Sequence, residues 1–111
     1  MEIRFKTNKL AKDCNDLARA KKKYGSRAGE DLIDVLNDLE ASDTLAVART
    51  LSHLKCHELK GDRVGQIACT ITKGLRLIFV PDNDPVPTKD DGGLDWTLVD
   101  AIEVIDIDDY H

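Results

Sequence analysis

The chain has 111 residues, 41% hydrophobic and 33% charged, a balance that builds a core and excludes an intrinsically disordered protein. No apolar stretch approaches the ~20 residues that cross a bilayer, and residues 1–6 alternate charged and apolar side chains rather than forming a secretory leader. The net charge of −5 argues against a simple nucleic-acid binder, but it is uneven: residues 81–111 hold ten acids against the single base Lys89, so residues 1–80 carry +4.

In chain order, Ile3 and Phe5 alternate with charged neighbours, which predicts a half-buried strand over residues 2–6. Thr7 or Asn8 can cap a helix over residues 9–23, with Leu10, Cys14, Leu17, Ala18 and Tyr24 on one face and Lys9, Lys12 and Arg19 among the bases opposite. Gly25 stops that helix behind Lys21, Lys22 and Lys23, whose charges suit a helix C-terminus. Ser26 can cap a second helix with the apolar stripe Ala28, Leu32, Val35, Leu36 and Leu39, so the pair predicts an antiparallel hairpin. Residues 42–52 suggest a short helical turn. Strands follow at residues 64–71 and 75–80, joined by a tight turn at Lys73-Gly74. Residues 81–96 hold all three prolines and read as a loop, and residues 98–107 alternate as a last strand.

This order, β-α-α-β-β-β, predicts one α+β domain over residues 1–111: an antiparallel sheet with a helical hairpin on one side. Its core should join Ile3, Phe5, Leu32, Leu36, Leu39, Ile67, Leu77, Phe79, Ile102 and Val104.

Three cysteines, Cys14, Cys56 and Cys69, without a Cys-x-x-Cys pair point to a reducing cytoplasm rather than a disulfide framework. His53, Cys56 and His57 match no zinc spacing, and no glycine-rich phosphate loop or nucleophile elbow occurs. Two clusters carry chemistry. In His57-Glu58-Leu59-Lys60-Gly61-Asp62-Arg63, two cations flank a flexible glycine, which suits a phosphate; a surface loop entering a strand is the plainer reading. In Asp109-Tyr110-His111, three proton-moving groups follow a strand, although polar termini commonly fray. Arg76 alternates with Leu75 and Leu77, so it faces away from them and needs a phosphate, solvent or a carboxylate such as Asp106 or Glu103.

The run from His57 to Gly65, the strand Gly74-Leu75-Arg76-Leu77-Ile78-Phe79 and the closing Asp109-Tyr110-His111 together resemble the RelE superfamily, and within it the HigB-like plasmid maintenance system killer branch of type II toxins. The resemblance spans essentially the whole chain in order. It implies a ribosome-dependent endoribonuclease that cuts mRNA and inhibits translation, with no metal and no cofactor, paired with a helix-turn-helix, HigA-like antitoxin in a hetero-oligomer. By resemblance the catalytic set is His57, Lys60, Arg76, Asp109, Tyr110 and His111, and Arg63 and Lys73 are candidate substrate contacts. The chain departs from the family at Leu75, where an aromatic is common, at Gln66-Ile67-Ala68, and in its long acidic loop. Two other readings share the fold: a ParE-like inhibitor of DNA gyrase, against which the set Lys60, Arg76 and His111 argues, and a degenerate member that only binds its antitoxin.

Overall fold

A computed structural model describes residues 1–109. Strand β1 (Glu2–Phe5) leads into three helices, α1 (Asn8–Asn15), α2 (Leu17–Tyr24) and α3 (Ser26–Ala41), and a short α4 (Leu45–Arg49). Strands β2 (His57–Glu58), β3 (Ile67–Thr72), β4 (Leu75–Pro81) and β5 (Ala101–Asp109) complete an α+β fold. The five-stranded sheet has the order β1-β5-β4-β3-β2.

The predicted class and element order hold, with three differences. First, the sheet is mixed: β1 runs parallel to β5, with Ile3 opposite Ile102 and Phe5 opposite Val104, while the other neighbours are antiparallel. Alternation marks which side chains face the core and carries no strand direction. Parallel neighbours only require a long crossover, and the whole helical region lies between these two. Second, His57 and Glu58 add an edge strand on β3. Two residues are too few to show a period. Third, β5 begins at Ala101, because Asp95 caps a 3₁₀ turn over Trp96–Leu98.

The predicted helix over residues 9–23 is two helices. Asp16 takes an extended backbone and its side chain accepts the Arg19 amide at 3.2 Å, so it caps α2 and restarts the helical phase. Leu17 is consequently 44% exposed rather than part of the buried stripe, and Ala18 is exposed with it. Helix α1 is capped as expected by Thr7, whose hydroxyl accepts the Leu10 amide at 3.1 Å. Gly25, not Ser26, occupies the cap position of α3, at φ 101° and ψ 159°, a region open only to glycine.

Helices α2 and α3 approach so closely that a Cβ on Gly29 would lie 2.5 Å from the Lys21 backbone nitrogen and 2.7 Å from its Cα. A glycine inside a helix loses about 0.5–1 kcal/mol against alanine; here it permits the contact that closes the hairpin. Leu32, Val35, Leu36 and Leu39 on α3 then pack on Ile67, Leu77, Phe79, Ile102 and Val104 of the sheet, with Ile3 and Phe5 against the margin of the same core. Each fully buried large side chain contributes about 1.5–3 kcal/mol. No helix among the described residues is long and apolar enough to cross a membrane.

Candidate functional site

Leu75, Leu77 and Phe79 of β4 belong to the helix-side core. Alternation therefore turns Arg76 and Ile78 to the opposite face of the sheet. Arg76 stands opposite Asp108 of β5, and two residues along Ile78 stands opposite Asp106. On the other side of β4, Ile78 faces Ala68, which in turn faces His57 of β2. His57, Ala68, Ile78 and Asp106 thus form one row across the sheet, and Thr70, Arg76 and Asp108 form the next.

Two ion pairs mark this face. Arg76 donates from Nε at 3.0 Å and from Nη2 at 2.9 Å to Asp108 Oδ2. The partner is Asp108 and not Asp106 or Glu103, because the register shift between Ile78 and Phe79 sets Asp108 directly opposite. Asp106 instead receives Arg63, whose Nη2 donates at 2.8 Å while Nη1 donates to Gln66 Oε1 at 2.9 Å. Arg63 ends the 3₁₀ turn Gly61–Arg63. Ile78 and Ala68 on this face are 0% and 1% exposed.

His57 is exposed, and its Nδ1 lies 2.8 Å from the Lys55 carbonyl. A carbonyl only accepts, so Nδ1 donates this bond, which turns Nε2 away from the backbone. Lys55 holds this carbonyl in place from the left-handed region at φ 50°, uncommon for a non-glycine residue. Lys60 is exposed immediately before the 3₁₀ turn and makes no ion pair among the described residues. Lys73 is exposed in the β3–β4 turn, at the end of the sheet where Leu75 pairs with Asp109. Tyr110 and His111 lie outside the described residues.

The sheet therefore gathers Arg63, Arg76, Asp106 and Asp108 on one face with His57 at its edge. His57 and Arg76 are two strands apart and two residues out of line, about 10 Å across the sheet and about 7 Å along it. The candidate set forms a band that suits an extended polyanion better than a small compact ligand. Asp108 was legible in the sequence only as part of an acidic terminus. The signal that could have identified it is parity: Asp106 and Asp108 repeat every second residue in a strand beside one carrying Arg76.

A second charged region lies on the helical hairpin. Asp13 is 3% exposed, yet it receives Lys23 Nζ at 2.8 Å and Arg19 Nη2 at 3.2 Å. The Lys23 hydrogen bond, with Arg19 adding to it, holds the Asp13 carboxyl below the usual carboxylate range. This carboxylate ties α1 to α2 across the Asp16 break. Among the described residues no three His, Cys, Asp or Glu side chains are placed to share a metal ion.

Comparison with known proteins identifies the fold. No family model matches the chain, and no curated protein matches it in sequence. Solved structures do. A YoeB/ParE toxin from Agrobacterium tumefaciens superposes with a TM-score of 0.54 at 16% identity, covering all of both chains. A YoeB–YefM complex from Staphylococcus aureus gives a TM-score of 0.54 at 14% identity over the whole of this chain and 97% of the other. The chain has the fold of the YoeB and ParE toxins.

Proposed function

We propose that this chain is the toxin of a type II toxin–antitoxin system, a HigB-like member of the RelE superfamily that cleaves mRNA on the ribosome without a metal or cofactor. The observation that carries the reading is the gathering of Arg63 and Arg76 over one face of the sheet with His57 at its edge, in a fold shared with YoeB and ParE toxins. The chain acts as a single cytoplasmic domain and is held inactive in a hetero-oligomer with a helix-turn-helix antitoxin.

The chemistry follows from the groups available. The RNA 2′-hydroxyl attacks the adjacent phosphorus, forming the O2′–P bond and breaking the P–O5′ bond. His57 Nε2 or Asp109 takes the 2′ proton, and His111 or Tyr110 returns one to the leaving O5′. The products are a 2′,3′-cyclic phosphate and a free 5′-hydroxyl. Charge builds on the non-bridging oxygens during the attack, and Lys60 and Arg76 neutralise it. Arg76 reaches the phosphate by exchanging Asp108 for it, a swap that keeps the guanidinium paired throughout. Arg63 and Lys73 hold the flanking backbone.

Induction of the protein alone in a bacterium tests the reading. Growth should stop, and translated mRNA should be lost while DNA supercoiling stays intact. Growth arrest with trapped gyrase–DNA breaks and intact mRNA would assign the ParE-like activity instead. Full growth would leave an antitoxin-binding protein without activity. The expected partner is encoded by a small helix-turn-helix reading frame adjacent to this one, which inspection of the flanking sequence would test.

A further inference from the structure

Cys56 immediately precedes β2, one residue before His57. His57 pairs with Ala68, so the next position along the same antiparallel ladder sets Cys56 opposite Cys69. Both thiols point into the core between sheet and helices, 8% and 0% exposed. Their sulfurs are 2.7 Å apart, and both are free. A disulfide needs ~2.05 Å between sulfurs, so closure requires roughly 0.7 Å of further approach.

We propose that Cys56 and Cys69 form a redox site that a small hydroperoxide closes to an intramolecular disulfide. The two thiols are not equivalent. The hydrogen bond with Cys69 lowers the Cys56 thiol below the ordinary range, and the nearby Arg49 guanidinium acts in the same sense. The same hydrogen bond and deep burial push the Cys69 thiol up. Cys56 is also the more exposed of the two and lies beside an edge strand only two residues long, whose fraying admits a small oxidant. It is therefore the attacking group.

The steps balance with the peroxide as the named oxidant. Cys56 Sγ attacks one peroxide oxygen, the O–O bond breaks, water leaves, and Cys56 becomes a sulfenic acid. Cys69 Sγ then attacks Cys56 Sγ, the S–O bond breaks, the Cys69 proton leaves with the hydroxyl as a second water, and the S–S bond forms. Two thiols lose two electrons and one peroxide becomes two waters. Cys14 is an internal control. It has no thiol partner among the described residues, and burial with the Asp13 charge beside it raises its pKa to about 11.

The product would staple β2 to β3 and fix the strand on which His57 sits. This inference does not depend on the proposed RNA chemistry. It is tested on the full chain with hydrogen peroxide, followed by thiol counting, mass measurement and peptide mapping. Two of the three thiols should disappear, with a mass loss of two hydrogen atoms and a single link between the Cys56 and Cys69 peptides, while Cys14 remains open to alkylation in denaturant. The oxidised chain should melt at a higher temperature, and dithiothreitol should reverse both changes. Cys56→Ser should slow thiol loss at least ~10-fold. Oxidation of Cys14 at an equal rate, links between chains in place of the internal one, or a sulfinic Cys56 beside an unreacted Cys69 would overturn the proposal. The mapping of the unaltered chain decides it even where the Cys56→Ser protein fails to fold.

Discussion

The helical hairpin and the helix-free face of the sheet both carry paired charges, but they use them in opposite ways. On the hairpin, Asp13 is almost fully enclosed and two cations from the next helix converge on it. The carboxylate is enclosed while the Arg19 and Lys23 side chains stay 50% and 41% exposed, and its charge joins α1 to α2. On the sheet, the side chains of Arg63 and Asp106 are 32% and 45% exposed, and those of Arg76 and Asp108 are 23% and 25% exposed. An incoming anion can compete for either arginine. On the sheet both partners of each pair meet solvent, so the cation is positioned and still exchangeable; on the hairpin an enclosed carboxylate anchors two exposed cations and holds structure. A charged constellation is therefore a functional candidate by its access to solvent as much as by its residue types.

Substitutions can break that contrast. Arg76→Ala and Lys60→Ala should lower RNA cleavage on programmed ribosomes about 10²–10³-fold, equivalent to about 2.7–4 kcal/mol in the barrier. Their melting temperatures should stay near that of the parent. A stable Arg76→Ala protein that cuts at the parent rate would move the site elsewhere; one that melts early would make Arg76 a structural partner like Lys23. Gly29→Ala should act in the reverse manner. Its methyl group meets the Lys21 backbone, which cannot yield as a side chain can, so the fold should lose about 1–3 kcal/mol by denaturant titration with unchanged activity per folded molecule.

Acid sharpens the comparison on the hairpin side. The folded state holds the Asp13 carboxyl below its ordinary range, so its stabilisation is complete above the unfolded carboxylate pKa and disappears as pH falls through the lowered folded value. Asp13→Asn should remove that contribution, flattening the acid limb of a melting-temperature profile and lowering the plateau at neutral pH. Arg63→Ala should have the smallest effect on stability, roughly 0–1 kcal/mol, because its pair with Asp106 is solvent-exposed.

The strands that build the core were legible because each alternates over several residues: Ile3 with Phe5, Leu77 with Phe79, Ile102 with Val104. The stripe of α3 was equally plain. What escaped depends on single residues or on three-dimensional pairing. One aspartate, Asp16, splits a helix whose spacing otherwise runs on. Gly29 reads as a weak helix former until its neighbour across the hairpin is known. The β2 strand is too short for any period. For the site, residue types pointed to His57, Lys60, Arg63 and Arg76, but the choice of Asp108 for Arg76 and Asp106 for Arg63 rests on a one-residue register shift in β5, which composition does not encode.

The placement of β5 between β1 and β4 bears on how the chain comes to be folded at all. Although β1 is the first strand to be synthesised, its partner is the last, and β4 too lacks one neighbour until then. The hairpin of α2 and α3 and the β3–β4 ribbon can form from local contacts as the chain emerges, but the sheet cannot close across its middle before residues 101–109 are released. Contacts of such sequence separation are slow to form. Nascent chains in which residues 101–109 have not yet emerged would therefore lack the Arg76–Asp108 and Arg63–Asp106 pairs.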